Sequence, residues 1–91
     1  MTALTLFMVE QRLRITDSEL TLLQAALVDA SLRLTARGDL VRYLGSTYLA
    51  GPGRLLSRFE ALNAEGVRIV CESSQAPLTS LEAAVDLPMP D

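Results

Sequence analysis

Charged side chains occupy positions of one parity inside segments whose other residues have strand character. Seven residues form this set: Glu10, Arg12, Arg42, Arg58, Glu60, Glu82 and Asp86. Successive residues of a strand point to opposite faces of a sheet, so residues of one parity share a face. We therefore expect the charges to gather on one face of one sheet. A small sheet with helices on its other face must solvate such a surface or cover it with a second subunit.

The composition favours a single small domain that gains stability from association. The chain has 91 residues, which suffice for one core, and 49% of them are hydrophobic with a mean hydropathy of +0.29. This much apolar surface on a small chain predicts contact with another copy. We expect one domain over residues 1–91, with a proline-containing tail at 88–91, in a homodimer or higher homo-oligomer.

Charge and residue types exclude several classes of function. The net charge is −3 and the sequence has no run of lysine or arginine, so we expect no nucleic-acid partner. Histidine is also absent, which removes imidazole bases, histidine triads and histidine metal ligands. The apolar start at residues 1–9 has no cationic segment before it and meets Glu10 and Arg12 too soon for a signal peptide or a membrane span. We expect a cytoplasmic protein with no membrane partner.

Local sequence signals set the boundaries of the first two elements. Residues 3–14 begin apolar and become polar, which is typical of a central strand buried on both faces at one end. Thr16 and Glu19 have the spacing of a capping box, so a helix is predicted to begin at Asp17. Gly38 follows the last apolar residues of that helix at the position of a C-terminal cap.

The second half of the chain repeats the alternation of strands and helix. Residues 39–50 and 54–61 are predicted strands joined as a hairpin by a glycine-proline-glycine turn. Asn63 can cap a second helix, in which Cys71 is expected to pack as a small hydrophobic residue rather than act as a nucleophile. Residues 79–87 alternate apolar and polar side chains, which predicts a half-buried fourth strand.

The predicted order is strand, helix, strand, strand, helix, strand. This is the ferredoxin-like βαββαβ arrangement, an α+β fold in which a four-stranded antiparallel sheet carries two helices on one face. Strict alternation directs one set of residues toward the helices: Phe7, Val9, Phe59, Ala83 and Val85. It directs another set to the open face: Leu6, Met8, Glu10, Arg12, Leu56, Arg58, Glu60, Glu82 and Asp86.

Three short segments resemble a known family. Residues 7–10 (FMVE), 41–47 (VRYLGST) and 59–61 (FEA) resemble a family of small, largely uncharacterised bacterial ferredoxin-like proteins, of which at least one member is described as nickel-binding. The architecture is also similar to the dimeric α+β barrel superfamily, whose paired sheets line pockets of cofactor-free monooxygenases, muconolactone isomerases and polyketide cyclases. The resemblance implies a homodimer without a cofactor. The histidines of a nickel or cyclase site are missing, so neither nickel binding nor histidine catalysis can be assigned to residues of this chain.

Two carboxylates are the candidate catalytic residues. Glu10 and Glu60 lie on strands that could bring them to a shared pocket, where burial beside apolar side chains would raise a carboxylate pKa and suit it to acid–base catalysis. The alternative is that Glu10, Arg12, Arg58 and Glu60 form cross-strand ion pairs under a subunit interface.

The second strand supplies the remaining candidates for ligand contact. Under strict alternation Arg42, Ser46 and Tyr48 share a face, so a guanidinium and two hydroxyls could hold an anionic or enolic ligand. The alternative for a tyrosine is an apolar side chain whose hydroxyl is bonded at an edge. The candidate ligand-binding residues are Arg12, Arg42, Tyr48 and Arg58.

These patterns predict a dimeric protein that binds a small hydrophobic or anionic molecule. A reaction, if there is one, would be a cofactor-free isomerisation, cyclisation or proton transfer, with Glu10 or Glu60 as acid or base and Arg42 or Arg58 stabilising negative charge. The alternative is a non-catalytic binding or interaction module, which could bind a divalent metal such as nickel.

Overall fold

The computed structural model describes residues 3–90 and confirms the predicted order of elements. The elements are β1 (Thr5–Arg12), α1 (Asp17–Ala36), β2 (Val41–Leu49), β3 (Arg54–Ala61), α2 (Ala64–Glu72) and β4 (Leu78–Ala84). The strands form one antiparallel sheet in the order β2-β3-β1-β4, and both helices pack on one of its faces. This is the predicted ferredoxin-like α+β fold. The predicted tail at 88–91 ends at Asp91, which lies outside the described residues.

Both helices begin where the sequence predicts. At α1 the Glu19 backbone N–H donates to Thr16 Oγ1 at 3.3 Å, and the Thr16 backbone N–H donates to Glu19 Oε1 at 3.0 Å. At α2 the side-chain oxygen of Asn63 accepts from the Gly66 backbone N–H at 3.0 Å. Within residues 3–90, neither helix combines the length and the apolar character needed to cross a membrane.

One core joins the helices to the sheet. The sheet contributes Phe7, Val9 and Phe59, while the helices contribute Leu27, Ala30, Leu34, Val67, Val70 and Cys71. The prediction that Val85 faces the helices is wrong, because β4 ends at Ala84 and Val85 is 84% exposed. Ala84 pairs with Leu6 near the start of β1, so residues beyond it have no strand partner there.

An irregularity in β2 changes which residues share a face. Tyr43 pairs with Phe59, yet the next pair is Gly45 with Arg58, so Leu44 is an extra residue of a β-bulge. Gly45 has a φ of 127°, a backbone conformation that L side chains rarely adopt. The alternation of side chains therefore reverses at this point of the strand. The reversal decides the composition of the candidate site.

Candidate functional site

The predicted charges lie together on the face of the sheet that the helices leave uncovered, called the open face below. Its charged residues are Glu10, Arg12, Arg42, Arg54, Arg58, Glu60, Glu82 and Asp86. The set adds Arg54, the first residue of β3, to the seven charges of the sequence pattern. Arg54 lies an even number of positions before Arg58 and Glu60 on the same strand. This spacing was the sequence signal that could have identified it.

Glu10 is held by two arginines rather than by apolar neighbours. Arg12 and Arg54 lie directly opposite each other on β1 and β3, a placement that would be unfavourable for like charges alone. Arg54 Nη2 lies 2.5 Å from Glu10 Oε1, and Arg12 Nε lies 3.4 Å from Glu10 Oε2. The Arg54 hydrogen bond lowers the pKa of Glu10, and the charge of Arg54 and contacts with Arg12 add to this effect. Glu10 therefore lacks the raised pKa expected of a general acid.

Glu60 and Glu10 do not share a pocket within one subunit. Glu60 pairs in register with Leu6, whereas Glu10 lies four residues further along β1, about 13 Å away at strand spacing. Arg42 Nη1 lies 3.5 Å from Glu60 Oε1. The expectation of two converging carboxylates is therefore wrong for the single chain, because strand register separates them.

Arg58 has a carboxylate partner in the segment that follows β4. Its Nη2 atom donates to Asp86 Oδ2 at 2.5 Å, and this contact places Asp86, two residues beyond the end of β4, on the open face. The predicted candidates Arg12, Arg42 and Arg58 are thus all present on one face, and each has a carboxylate partner. An anionic ligand would have to compete with these carboxylates.

The predicted grouping of Arg42, Ser46 and Tyr48 is wrong, because the bulge separates them. Arg42 lies on the open face, whereas Ser46 and Tyr48 point toward the helices. The Tyr48 hydroxyl donates to the Leu13 carbonyl at 3.0 Å and accepts from the Ile15 backbone N–H at 3.4 Å. Tyr48 therefore fixes the connection between β1 and α1. Its hydroxyl already has partners on both sides.

A chain of polar side chains crosses from α1 to the middle of the sheet, and we call it the hydroxyl chain. Gln24 Nε2 donates to the Tyr43 hydroxyl at 2.9 Å, which lies 2.6 Å from Ser46 Oγ. Ser46 Oγ lies 2.6 Å from Ser57 Oγ, and Ser57 is fully buried. Sequence reasoning missed this chain, although a glycine inside a strand is a signal for the bulge that creates it.

The hydroxyl chain borders a pocket of about 170 Å³ between the first half of α1 and strands β2 and β3. We call it the helix pocket. Its lining residues are Leu20, Thr21, Leu23, Gln24, Ser46, Tyr48 and Leu55. Ser46 and Ser57 are cross-strand partners, so two small side chains lie where large ones would fill the space beneath the helix.

A shallower groove of about 380 Å³ lies on the open face beside the bulge. We call it the open-face groove. Its lining residues are Met8, Leu44, Gly45, Ser46, Thr47, Leu56 and Arg58. Apolar side chains and the guanidinium of Arg58, which is paired with Asp86, therefore meet in it.

Two other buried groups belong to the structure of the core. Burial raises the pKa of the Cys71 thiol to about 12, so this cysteine is not a thiolate near neutral pH. Gln11 is fully buried, and its Nε2 donates to Ser74 Oγ at 3.0 Å and to the Ala76 carbonyl at 3.2 Å. Over residues 3–90, no three cysteine, aspartate or glutamate side chains are placed to hold a metal ion.

The fold and these surfaces define a small ferredoxin-like α+β domain with one uncovered sheet face. The crystal structure of SCO4226 from Streptomyces coelicolor A3(2) is similar to this chain, with a TM-score of 0.71. The similarity covers 94% of this chain and 99% of that chain at 18% sequence identity, so it shows a shared fold alone. No protein-family model and no curated protein sequence matches the chain.

Proposed function

We propose that the protein is a homodimeric binding protein for a small organic molecule, with the open face as the subunit interface. In this proposal Glu10 and Glu60 fix the geometry of pairing and do not act as acid–base catalysts. The observation that carries the proposal is the pattern of the open face, where ion-paired side chains alternate with apolar ones on the side of the sheet opposite both helices.

The charge of the open face suits contact with a second copy. It carries four arginines and four carboxylates, so it is neutral in total. The remaining four arginines and seven acidic residues of the chain carry the whole net charge of −3. Two copies therefore repel each other least when their open faces meet, and alternating signs allow complementary contacts between them.

Apolar side chains interleave with these charges. Leu6, Met8 and Leu56 are partly buried within the single chain, and Leu44 is 43% exposed beside the bulge. A second sheet packed on this face would remove them from water, which stabilises association by about 25 cal/mol per Å² of apolar surface. It would also close the open-face groove, with Arg58 in the wall for an anionic group of a ligand.

Sedimentation equilibrium tests the proposed pairing with a matched pair of substitutions. Leu44→Asp places a charge on the open face, and Leu32→Asp places one on the outer surface of α1, where Leu32 is 65% exposed. We expect the wild type and Leu32→Asp to sediment as dimers and Leu44→Asp as a monomer of about 9.9 kDa. Circular dichroism checks that each variant is folded. A monomeric wild type, or dissociation by Leu32→Asp instead, would overturn the proposed interface.

The ligand part of the proposal has a separate test. Benzoate combines an apolar ring with a carboxylate, as the open-face groove requires. We expect benzoate to shift the NMR signals of Met8 and Leu56, and we expect Arg58→Met to weaken its binding about tenfold, since a charge-assisted hydrogen bond is lost. Arg33→Met, on the exposed surface of α1, is the control. Equal benzoate binding by both variants would contradict the role of Arg58.

A further inference from the structure

We propose that the helix pocket is a second binding site, and that it takes an uncharged, monocyclic hydroxyl compound of the phenol class. The inference rests on the proposed role in small-molecule binding, but not on the proposed dimer. The pocket lies on the opposite side of the sheet from the open-face groove, between α1 and strands β2 and β3. Its size, its lining and its hydrogen-bonding groups each narrow the class of ligand.

The volume sets the size of the ligand. The helix pocket measures about 170 Å³. An engineered protein cavity of about 150 Å³ lined by apolar residues is large enough to bind benzene. A single six-membered ring with one small substituent therefore fits in the pocket, which is open to solvent on one side.

The lining sets the charge of the ligand. Leu20, Leu23 and Leu55 supply apolar walls, and the other lining side chains are uncharged amide or hydroxyl groups. An ionised ligand would lose its hydration on entering and find no opposite charge among the lining residues, which is costly. The pocket therefore favours a neutral compound and rejects a carboxylate of the same ring size.

The hydroxyl chain gives the pocket a hydrogen-bond donor. Two hydrogen bonds join the hydroxyls of Tyr43, Ser46 and Ser57, so these bonds use two of the three hydroxyl protons. When Tyr43 and Ser57 both donate to Ser46, the Ser46 proton is left to point into the pocket that this residue lines. Ser46 can then donate to the oxygen of a bound ligand.

Gln24 supplies the complementary acceptor. Its Nε2 atom donates to the Tyr43 hydroxyl, which leaves the amide oxygen to accept a bond from a ligand at the pocket wall. A phenolic hydroxyl can accept from Ser46 and donate to Gln24 at the same time. A ring without a hydroxyl can use neither group.

NMR titration of the full-length protein with phenol, toluene and benzoate tests this assignment. We expect phenol to shift the signals of Leu20, Leu23 and Leu55, toluene to bind there about tenfold more weakly, and benzoate to leave these signals unshifted. Ser46→Ala should weaken phenol binding about fivefold to tenfold without changing toluene binding. Gln24→Leu is the second variant, because Gln24 is on the helix surface and its replacement leaves the buried part of the chain intact. Thr79→Ala removes an exposed hydroxyl from β4 and should leave phenol binding unchanged.

The outcomes separate this inference from the proposed function. Absence of phenol-dependent shifts at the three pocket leucines would overturn the helix-pocket site, whatever the oligomeric state proves to be. Phenol binding that is insensitive to both Ser46→Ala and Gln24→Leu would overturn the assigned hydrogen-bonding groups. Benzoate shifts at the pocket leucines would overturn the neutral class. A monomeric protein that still binds phenol in this pocket would contradict the proposed interface and leave the inference supported.

Discussion

On the open face of the sheet, Glu10 and Glu60 are paired with arginines and keep some contact with water, whereas on the helix side the Ser46 hydroxyl bonds to the hydroxyls of both Ser57 and Tyr43. Both regions use β2 and β3, and both carry polar side chains close to apolar ones. They differ in the kind of polar group. Ionised groups lie where water or a second copy can reach them, while neutral hydroxyls lie under α1.

The difference follows from the cost of burial. A buried charge must have a partner of opposite sign and further hydrogen bonds, whereas a buried hydroxyl needs only a neighbouring donor or acceptor. The open face can therefore bring charges together at a contact with another chain. The helix side can line a neutral pocket without ion pairs.

Removing a buried aromatic ring should give the largest difference in stability loss between the two faces of the sheet. Phe59 is fully buried against the helices, so Phe59→Ala should lower the free energy of unfolding by about 3–5 kcal/mol. Leu56→Ala, on the other side of the same strand, should cost the single chain less because Leu56 is only partly buried. Urea denaturation at low protein concentration measures both. Equal losses would mean that the open face is already part of a core.

The bulge in β2 depends on its glycine. Gly45→Ala should lower the free energy of unfolding by about 1–3 kcal/mol, because the φ of 127° is strained for alanine. Apart from the two adjacent residues, no atom of residues 3–90 lies within 4 Å of the added methyl group, so the loss would come from the backbone and not from a clash. Gly51→Ala also meets open space, but without the strained φ, and it is the matched control. A control that loses as much stability would contradict this explanation.

Breaking the hydroxyl chain should have a moderate effect on stability. Ser57→Ala removes the buried hydroxyl that bonds Ser46, and we expect a loss of about 1 kcal/mol in the free energy of unfolding. Ser80→Ala, opposite Glu10 on β4, should change the value by less than about 0.5 kcal/mol. Thermal denaturation of the two variants provides the comparison. A neutral Ser57→Ala would show that the chain adds nothing to folding.

Low pH should lower the free energy of unfolding through the open face, and by less than the substitutions above. Because Arg54 lowers the pKa of Glu10 in the folded protein, this group stabilises folding above the ordinary glutamate pKa of about 4.3. That contribution is lost as the pH falls through the lower pKa of the folded state. Glu10→Gln should therefore reduce the dependence of unfolding free energy on pH below about 5, and Arg54→Met should reduce it similarly. Urea denaturation across this range measures the effect, and an unchanged pH dependence in Arg54→Met would exclude the ion pair as its cause.

Much of the fold was predictable because its signals are local. Thr16 and Asn63 identify the helix starts through side-chain bonds to backbone groups only a few residues away. The end of β4 was harder to predict from the sequence, because it depends on which residues of β1 pair with it. The local sequence specifies helix caps, but it only suggests where pairing between distant strands ends.

The candidate site was less predictable because one inserted residue reverses a face. Strict alternation placed Tyr48 beside Arg42, and the bulge at Leu44 and Gly45 separates them. The charged residues of the open face could be assigned by parity, but their ion-pair partners depend on cross-strand register. The hydroxyl chain depends on both the bulge and the position of Gln24 on α1, so it required the three-dimensional structure.

The most direct test of the division between the two sides is methyl NMR of the wild-type protein under two separate perturbations, dilution and addition of phenol. Dilution should shift the methyl signals of Met8, Leu44 and Leu56 on the open face. Phenol should shift those of Leu20, Leu23 and Leu55 in the helix pocket. Two separate sets of shifted signals are the predicted result. If both perturbations act on the same methyl groups, or if dilution shifts only those of the helix pocket, the account is contradicted.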